Sequence, residues 1–260
     1  MSILAVVLLL IAIQASCSNE HQAPQSKEVA PENPAALSIL FDEDEESRFS
    51  DDDKKLITEI IIRSEARVRV LLPTLPEEIE VTAVAIDRNI DIVGGVTGRA
   101  NSPGVVQVEL SKVFPGGIAA AARSALSSSI FHEFHHLARG WTIQGNKFGA
   151  GIPIAAVNEG LASVFSEEFT GVYFEEANSY PEHADKWLEE VLALPEDANY
   201  GTWMVEHPDG RDAIGYRVGR YLVHRATASS GKGVLELSKL SPDEILELAK
   251  EPSTDGSSSD

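Results

Sequence analysis

Between residues 50 and 250 the chain switches between two hydrophobic periods, and the switches lay out its elements. Leu56, Ile60, Ile61, Ser64 and Val68 recur at helical spacing. Ser50, with Asp53 three residues on, caps that helix, and Pro73 and Pro76 stop it. The period then shortens to two. Ile79 to Ile86 is rich in Val and Ile, and Gly104 to Leu110 alternates after the turn signal Asn101-Ser102-Pro103-Gly104. A short strand is expected between them, over Ile90–Val96. From Ile118 to about Arg139 the pattern is helical again, alanine-rich at first, then carrying Ser127-Ser128-Ser129, and broken at Gly140-Trp141. A glycine-rich loop over Thr142–Pro153 leads into a helix over Ala155–Phe169, which Gly171 ends. Further helices are expected over Tyr180–Leu194 and Ile214–Thr227, separated by an irregular stretch Pro195–Asp212. The last apolar repeats lie in Val234–Leu240 and Ser241–Ala249. This order predicts an α+β fold, a small twisted sheet packed on one long helix and followed by a mainly helical C-terminal half.

Composition narrows the picture. With 260 residues, 43% of them hydrophobic, the chain can bury one sizeable core or two small ones. A formal net charge of −20 leaves no basic surface to neutralise phosphates, so nucleic acid is not an expected partner. Acidic runs at Phe41-Asp42-Glu43-Asp44-Glu45-Glu46 and Asp51-Asp52-Asp53 read as solvated tether. Cys17 is the single cysteine, which rules out an intramolecular disulfide. Ile3 to Ile13 is apolar throughout, too short to span a bilayer comfortably, and is followed by Ala15-Ser16-Cys17. That ending resembles a bacterial lipobox, although Gln14 stands where a Leu-like residue is usual and no Lys or Arg precedes the apolar run. The expectation is an exported lipoprotein on the periplasmic or extracellular face, held to the membrane by a lipid on Cys17. Ordinary secretory cleavage is the other reading. Residues 1–17 are then a signal peptide, 18–49 a flexible acidic tether, 50–250 the domain and 251–260 a disordered tail.

The chemistry is carried by Phe131-His132-Glu133-Phe134-His135-His136-Leu137, an HExxH motif inside the long helix. Residues four apart lie one turn above each other, so His132 and His136 can point at one Zn2+ ion. Glu133, rotated about 100° from His132, sits beside the metal, where a general base for a zinc-bound water belongs. Two histidines need a third protein ligand with a fourth position left open. Glu159 is the candidate, 23 residues after His136 and one glycine-rich loop away, near the start of the next helix.

HExxH followed by a downstream helix bearing Glu resembles the gluzincin metallopeptidases, and Asn158-Glu159-Gly160-Leu161-Ala162 is similar to their glutamate motif. With Gly215-Tyr216-Arg217-Val218-Gly219-Arg220-Tyr221-Leu222-Val223 added, the three motifs resemble a bacterial domain-of-unknown-function family described as predicted zinc-dependent proteases. The resemblance covers roughly residues 50–249. It implies a zincin-like α+β domain that hydrolyses peptide bonds of a peptide or protein substrate.

Other residues follow from that expectation. Tyr216 is the candidate donor to the oxyanion, with Tyr200 and His207 behind it; a packed core tyrosine is the competing reading. Arg220 and Trp203 are candidate substrate contacts, and Met204 could share an apolar wall with Trp203. Ser163 stands where other gluzincins often carry an acidic residue orienting a ligand histidine, which leaves Glu167 or a backbone carbonyl for that task. His135, one position short of His136 and rotated about 100° from it, is not expected to ligate the metal itself; contact with a ligand or a place on the cleft wall is left to it. His183 and His224 read as surface or packing residues, and strand Val105–Leu110, if it borders the cleft, could pair with an extended peptide. The reading from another class is a zincin-fold binding lipoprotein with structural zinc and little turnover.

Overall fold

The computed structural model describes residues 36–44 and 48–250. The signal peptide, Cys17 and the tail lie outside the described residues, as does most of the tether. The first finding concerns the tether's end. Ala36–Asp42 forms strand β1, paired in parallel with β2 (Glu78–Ile86) from Ala36 opposite Glu78 to Asp42 opposite Val84. Ordered structure therefore starts ahead of Ser50. Leu37, Ile39 and Phe41 alternate with exposed neighbours and pack on the core, so this short strand obeys the period of two.

Parallel neighbours need a crossover, and α1 (Asp51–Leu71) supplies it. Its start is a reciprocal capping box: Asp53 N–H donates to Ser50 Oγ at 3.1 Å and Ser50 N–H to the Asp53 carboxylate at 3.2 Å. Ile57, Ile60, Ile61, Ser64 and Val68 form its buried face, and Leu56 is only half-buried.

The strand expected at Ile90–Val96 lies one step later. Asp91–Val93 is a tight helical turn, Gly94 and Gly95 have φ of 71° and 83°, and β3 is Val96–Ser102. Two successive left-handed residues reverse the chain there, and a Cβ on either would meet Phe174 or Phe114 within 2.7 Å. β3 then turns at Pro103-Gly104 into β4 (Val105–Ser111), its antiparallel neighbour. The sheet order is β1-β2-β4-β3, so β4 is interior and β3 is an edge. Strand Val105–Leu110 has both sides taken, by β2 and β3, and is not open to a peptide.

A continuous helical rod crosses the sheet: α2 (Gly117–Ala121), a π-helical turn at Ala122–Leu126, and α3 (Ser127–Arg139). Gly140, at φ 77°, ends it. The loop after it stops at Gly151, since Ile152 and Pro153 already belong to α4 (Ile152–Thr170). Proline fits there because the first helical N–H groups have no partner inside the helix. Phe131 of α3 stacks on Phe165 of α4 with ring centroids 5.7 Å apart, both fully buried.

The C-terminal half continues with α5 (Glu175–Asn178), α6 (Ala184–Leu192), α7 (Tyr200–Met204), α8 (Ile214–Ser230), α9 (Val234–Leu237) and α10 (Pro242–Lys250). The stretch expected to be irregular thus holds a helical turn, α7, and a single bridge between Glu206 and Asp212. α4 and α8 cross with their backbones almost touching. A Cβ on Gly160 would lie 2.2 Å from the Gly219 carbonyl, and one on Gly219 would lie 2.0 Å from Ala156 O. Only glycine at both positions lets the helices approach so closely. No helix among the described residues is long and apolar enough to cross a membrane.

Candidate metal centre

α3 places His132 and His136 one turn apart with ring centroids 4.6 Å from each other. α4, packed alongside, brings Glu159 between them: its Oε2 lies 3.1 Å from Nε2 of both imidazoles. One donor atom from each of the three lies within 4.8 Å of the others. The second oxygen is held separately, since Trp141 Nε1 donates to Glu159 Oε1 at 3.1 Å. Trp141 follows the C-cap glycine of α3, and its N–H binds His136 O at 3.0 Å, which folds the indole back over the helix end. The result is a carboxylate with one oxygen anchored and one shared by two imidazoles.

The charges reinforce one another. Burial alone would raise the Glu159 pKa, but the two histidines, through charge and hydrogen bonds, hold it far below the ordinary carboxylate value. For His132 burial opposes protonation, yet the Glu159 bond and the charges of Glu133 and Glu159 outweigh it and raise the pKa. Two imidazole nitrogens and one carboxylate oxygen are the donor set of a catalytic zinc, whereas Mg2+ and Ca2+ favour oxygen alone. The residues fit the ion that the motif implies.

Glu133 lies on the side of the cluster facing β3. Its carboxylate is buried, accepts a hydrogen bond from Ala100 N–H, and has its pKa raised by burial, partly offset by His132 and His136. Gly98 makes room for it, because a Cβ there would sit 2.7 Å from Glu133 Cγ and 2.8 Å from Oε1. A glycine inside a strand marks this close approach.

α8 brings Tyr216 to the other side. It lines a cavity of about 390 Å3 together with His132, Glu133, His136, Glu159, Trp141 and Tyr200. The two tyrosine hydroxyls are hydrogen-bonded to each other. The Glu159 charge, then burial, pushes the Tyr216 pKa well above its ordinary value, so the phenol keeps its proton. Gly215 lets α8 start there: a Cβ would fall 1.9 Å from Met204 Sδ.

Residues 87–247 match the family described as Predicted Zn-dependent protease (DUF2268). That is more than half of the chain. The chain belongs to this family. No curated protein and no solved structure matches it. The part matched by the family of predicted Zn-dependent proteases contains the whole His132, His136, Glu159 cluster, which could bind a metal. β1, α1 and β2 precede it.

Several residues expected at the site stand elsewhere. Arg220 is buried and bidentate to Glu167, with Nε–Oε2 at 3.0 Å and Nη2–Oε1 at 2.9 Å, and lies over the Tyr173 ring. Its guanidinium is therefore committed, and Glu167 orients no ligand histidine. Trp203 packs on the core and on His207, ring centroids 4.8 Å apart, while His207 pairs with Asp209 at 2.8 Å; neither lines the cleft. Met204, almost fully buried, does line it. His135 turns away to Ser238 Oγ at 2.8 Å, His224 bonds Tyr180 at 3.1 Å, and His183 meets Trp187 edge-on. His136 Nδ1 is buried with no hydrogen-bond partner among the described residues. The sequence reading missed three contributors: Trp141, Gly98 and the pair Arg139–Asn158. Arg139 Nε donates to Asn158 Oδ1 at 3.0 Å, which ties the end of α3 to α4 right beside Glu159.

Proposed function

We propose that the chain is a zinc-dependent peptidase with a zincin-like fold, His132, His136 and Glu159 holding the metal and Glu133 acting as general base. The observation that carries this is the shared oxygen: Glu159 Oε2 stands 3.1 Å from both imidazole Nε2 atoms while Trp141 fixes Oε1. Zinc, when bound, supplies Lewis-acid polarisation of a carbonyl and acidification of water. The chain supplies the rest. Glu133 is buried, and its raised pKa brings it toward the range in which a base works near neutrality. It takes the proton from the attacking water and can return it to the leaving amine. Tyr216, protonated and facing the same cavity, donates to the developing oxyanion, and Tyr200 is hydrogen-bonded behind it.

The open edge of β3 offers the substrate a strand to pair with. Ala100 N–H goes to Glu133, and Ala100 O accepts from Ile143 N–H at 3.0 Å, so alternate residues of β3 present their backbone away from β4. Gly98 is two residues earlier and points the same way, into the cleft. An extended peptide paired at Gly98 runs past Glu133 and the metal ligands. The export and lipid-anchor reading rests on residues 3–17 alone and joins the proposal as its cellular setting.

The test uses the chain from residue 18 onward. Zinc content is measured by elemental analysis, and cleavage of casein and a peptide library is followed with and without chelator. Cleavage that chelator abolishes, together with a Glu133→Gln protein that keeps its zinc and loses cleavage, is the expected result. Equal cleavage by both proteins removes Glu133 from the mechanism. A zinc-loaded wild-type protein that cleaves nothing favours the binding lipoprotein instead.

A further inference from the structure

Beside the polar cavity over the metal ligands the cleft opens into a second lobe of about 400 Å3. The two lobes share Gly98, His132, Glu133 and Tyr216, so a substrate chain at Glu133 borders both. Their chemistry differs. In the second lobe, Val93, Val96, Phe174 and Met204 supply apolar wall. α3 and α4 contribute Ser128, Ser129, Ser163 and Ser166. These are positions next to the motif helices where a larger side chain would close the space.

The serines are more than small. Ser166 Oγ is spent on Ser163 O at 3.0 Å, but the hydroxyls of Ser128, Ser129 and Ser163 make no hydrogen bond among the described residues. Each offers a donor and acceptor to whatever enters. Two charged residues, Arg217 and Asp212, border the lobe on its far side, and they pair with each other at 3.2 Å. The terminal nitrogens of Arg217 are further committed to Ser179 O at 2.9 Å and Glu176 O at 2.7 Å. Those bonds fasten the α5 segment, which carries Phe174 and its neighbours, to α8. The lobe is thus wide, apolar on most sides, bounded at its far side by the paired Arg217 and Asp212, and provided with unused hydroxyls along one wall.

We infer that this lobe is the specificity pocket, taking an uncharged aromatic side chain with a polar tip, tyrosine before phenylalanine, from a residue flanking the scissile bond. The inference rests on the peptidase reading of the adjoining metal centre. The ring replaces water against the apolar walls. The phenol needs a partner once buried, and the free serine hydroxyls are that partner. An acidic side chain would meet the carboxylates of Glu133 and Asp212, and a basic one would lose its hydration against the apolar walls with Asp212 already paired to Arg217.

The experiment separates this inference from the reading it rests on. Zinc-loaded Glu133→Gln protein is titrated calorimetrically with hexapeptides that differ only at one central position, Tyr, Phe, Leu, Glu or Lys, and wild-type cleavage sites are mapped in parallel. Expected is binding of the Tyr peptide about five-fold tighter than Phe, the worth of roughly one hydrogen bond, and about 100-fold tighter than Glu or Lys. In Ser128→Ala/Ser129→Ala/Ser163→Ala protein, whose folding is checked by circular dichroism, the Tyr-over-Phe ratio should fall to about one while Phe binding persists. Tyr-selective binding without any cleavage leaves the pocket standing and removes the peptidase. Binding or cleavage indifferent to the central residue, or a Tyr preference unchanged in the triple variant, overturns the pocket.

Discussion

Two glutamates on α4, eight residues apart, one buried and one half-buried, show what decides the role of a carboxylate. Glu159 meets two imidazoles and an indole N–H; Glu167 meets one guanidinium. The first arrangement leaves an oxygen shared between neutral-capable nitrogens, a set that a divalent cation can take over. The second saturates the carboxylate with fixed hydrogen bonds from a permanently charged group, and no metal can compete for it. Both residues also face a different neighbour, since Glu159 looks toward α3 and Glu167 toward α8. Under the proposed function Glu159 serves the metal site, while Glu167 adds a polar tie to α8 beyond the Gly160–Gly219 crossing.

That contrast is tested by removing each function in turn. Glu159→Ala should abolish zinc binding under dilute conditions and lower activity by more than the roughly 100-fold that losing an outer partner costs. Elemental analysis after dialysis, with the activity assay, checks it; retained zinc would mean that another donor replaces Glu159. Next comes Trp141→Phe, which frees Glu159 Oε1 while keeping the ring. Zinc affinity should drop about 10- to 100-fold, read by competition with a fluorescent chelator. An unchanged affinity would show that the indole N–H does not orient the ligand.

How much of this the sequence disclosed follows the same division. His132, Glu133 and His136 are legible because their geometry is local, fixed by the helix period alone. Glu159 is legible from loop length and motif. What stayed hidden depends on packing between distant segments. β1 ends where an acidic run begins at Asp42, and its partner β2 lies across the whole of α1, so nothing local announces the pairing. The position of β3 was misread because Gly94 and Gly95 look like part of a strand when they reverse the chain ahead of it. Arg220 and Trp203 look available in a list of residues, yet Glu167 and His207 already occupy them. Gly98 and Gly219 carried signals that could have been read: a glycine inside a strand and a glycine inside a helix each ask what comes close.

That question yields a prediction about stability. Gly219→Ala puts a methyl group into the backbone of α4, with Ala156 O 2.0 Å from the new Cβ. Neither neighbour is a flexible side chain, so the helices must separate. The loss should be about 3 kcal/mol or more, measured by urea denaturation. Since α8 carries Tyr216, the displacement should also lower kcat more than it lowers zinc content. Stability close to that of the parent would mean that the crossing is looser than the glycines imply.

The smallest expected effect sharpens the comparison most. Glu167→Ala leaves Arg220 buried without its carboxylate, and breaking a fully buried pair costs about 3 to 5 kcal/mol. Glu167 itself, however, keeps 30% of its side chain exposed, so water can reach the pair and screen it. The cost should fall to about 1 to 2 kcal/mol, while zinc content and the activity of the folded protein stay near those of the parent. The same substitution eight residues earlier should do the reverse, losing metal while the helix crossing with α8 survives. If Glu167→Ala strips the zinc, the two positions on α4 are coupled, and the division of roles between them fails.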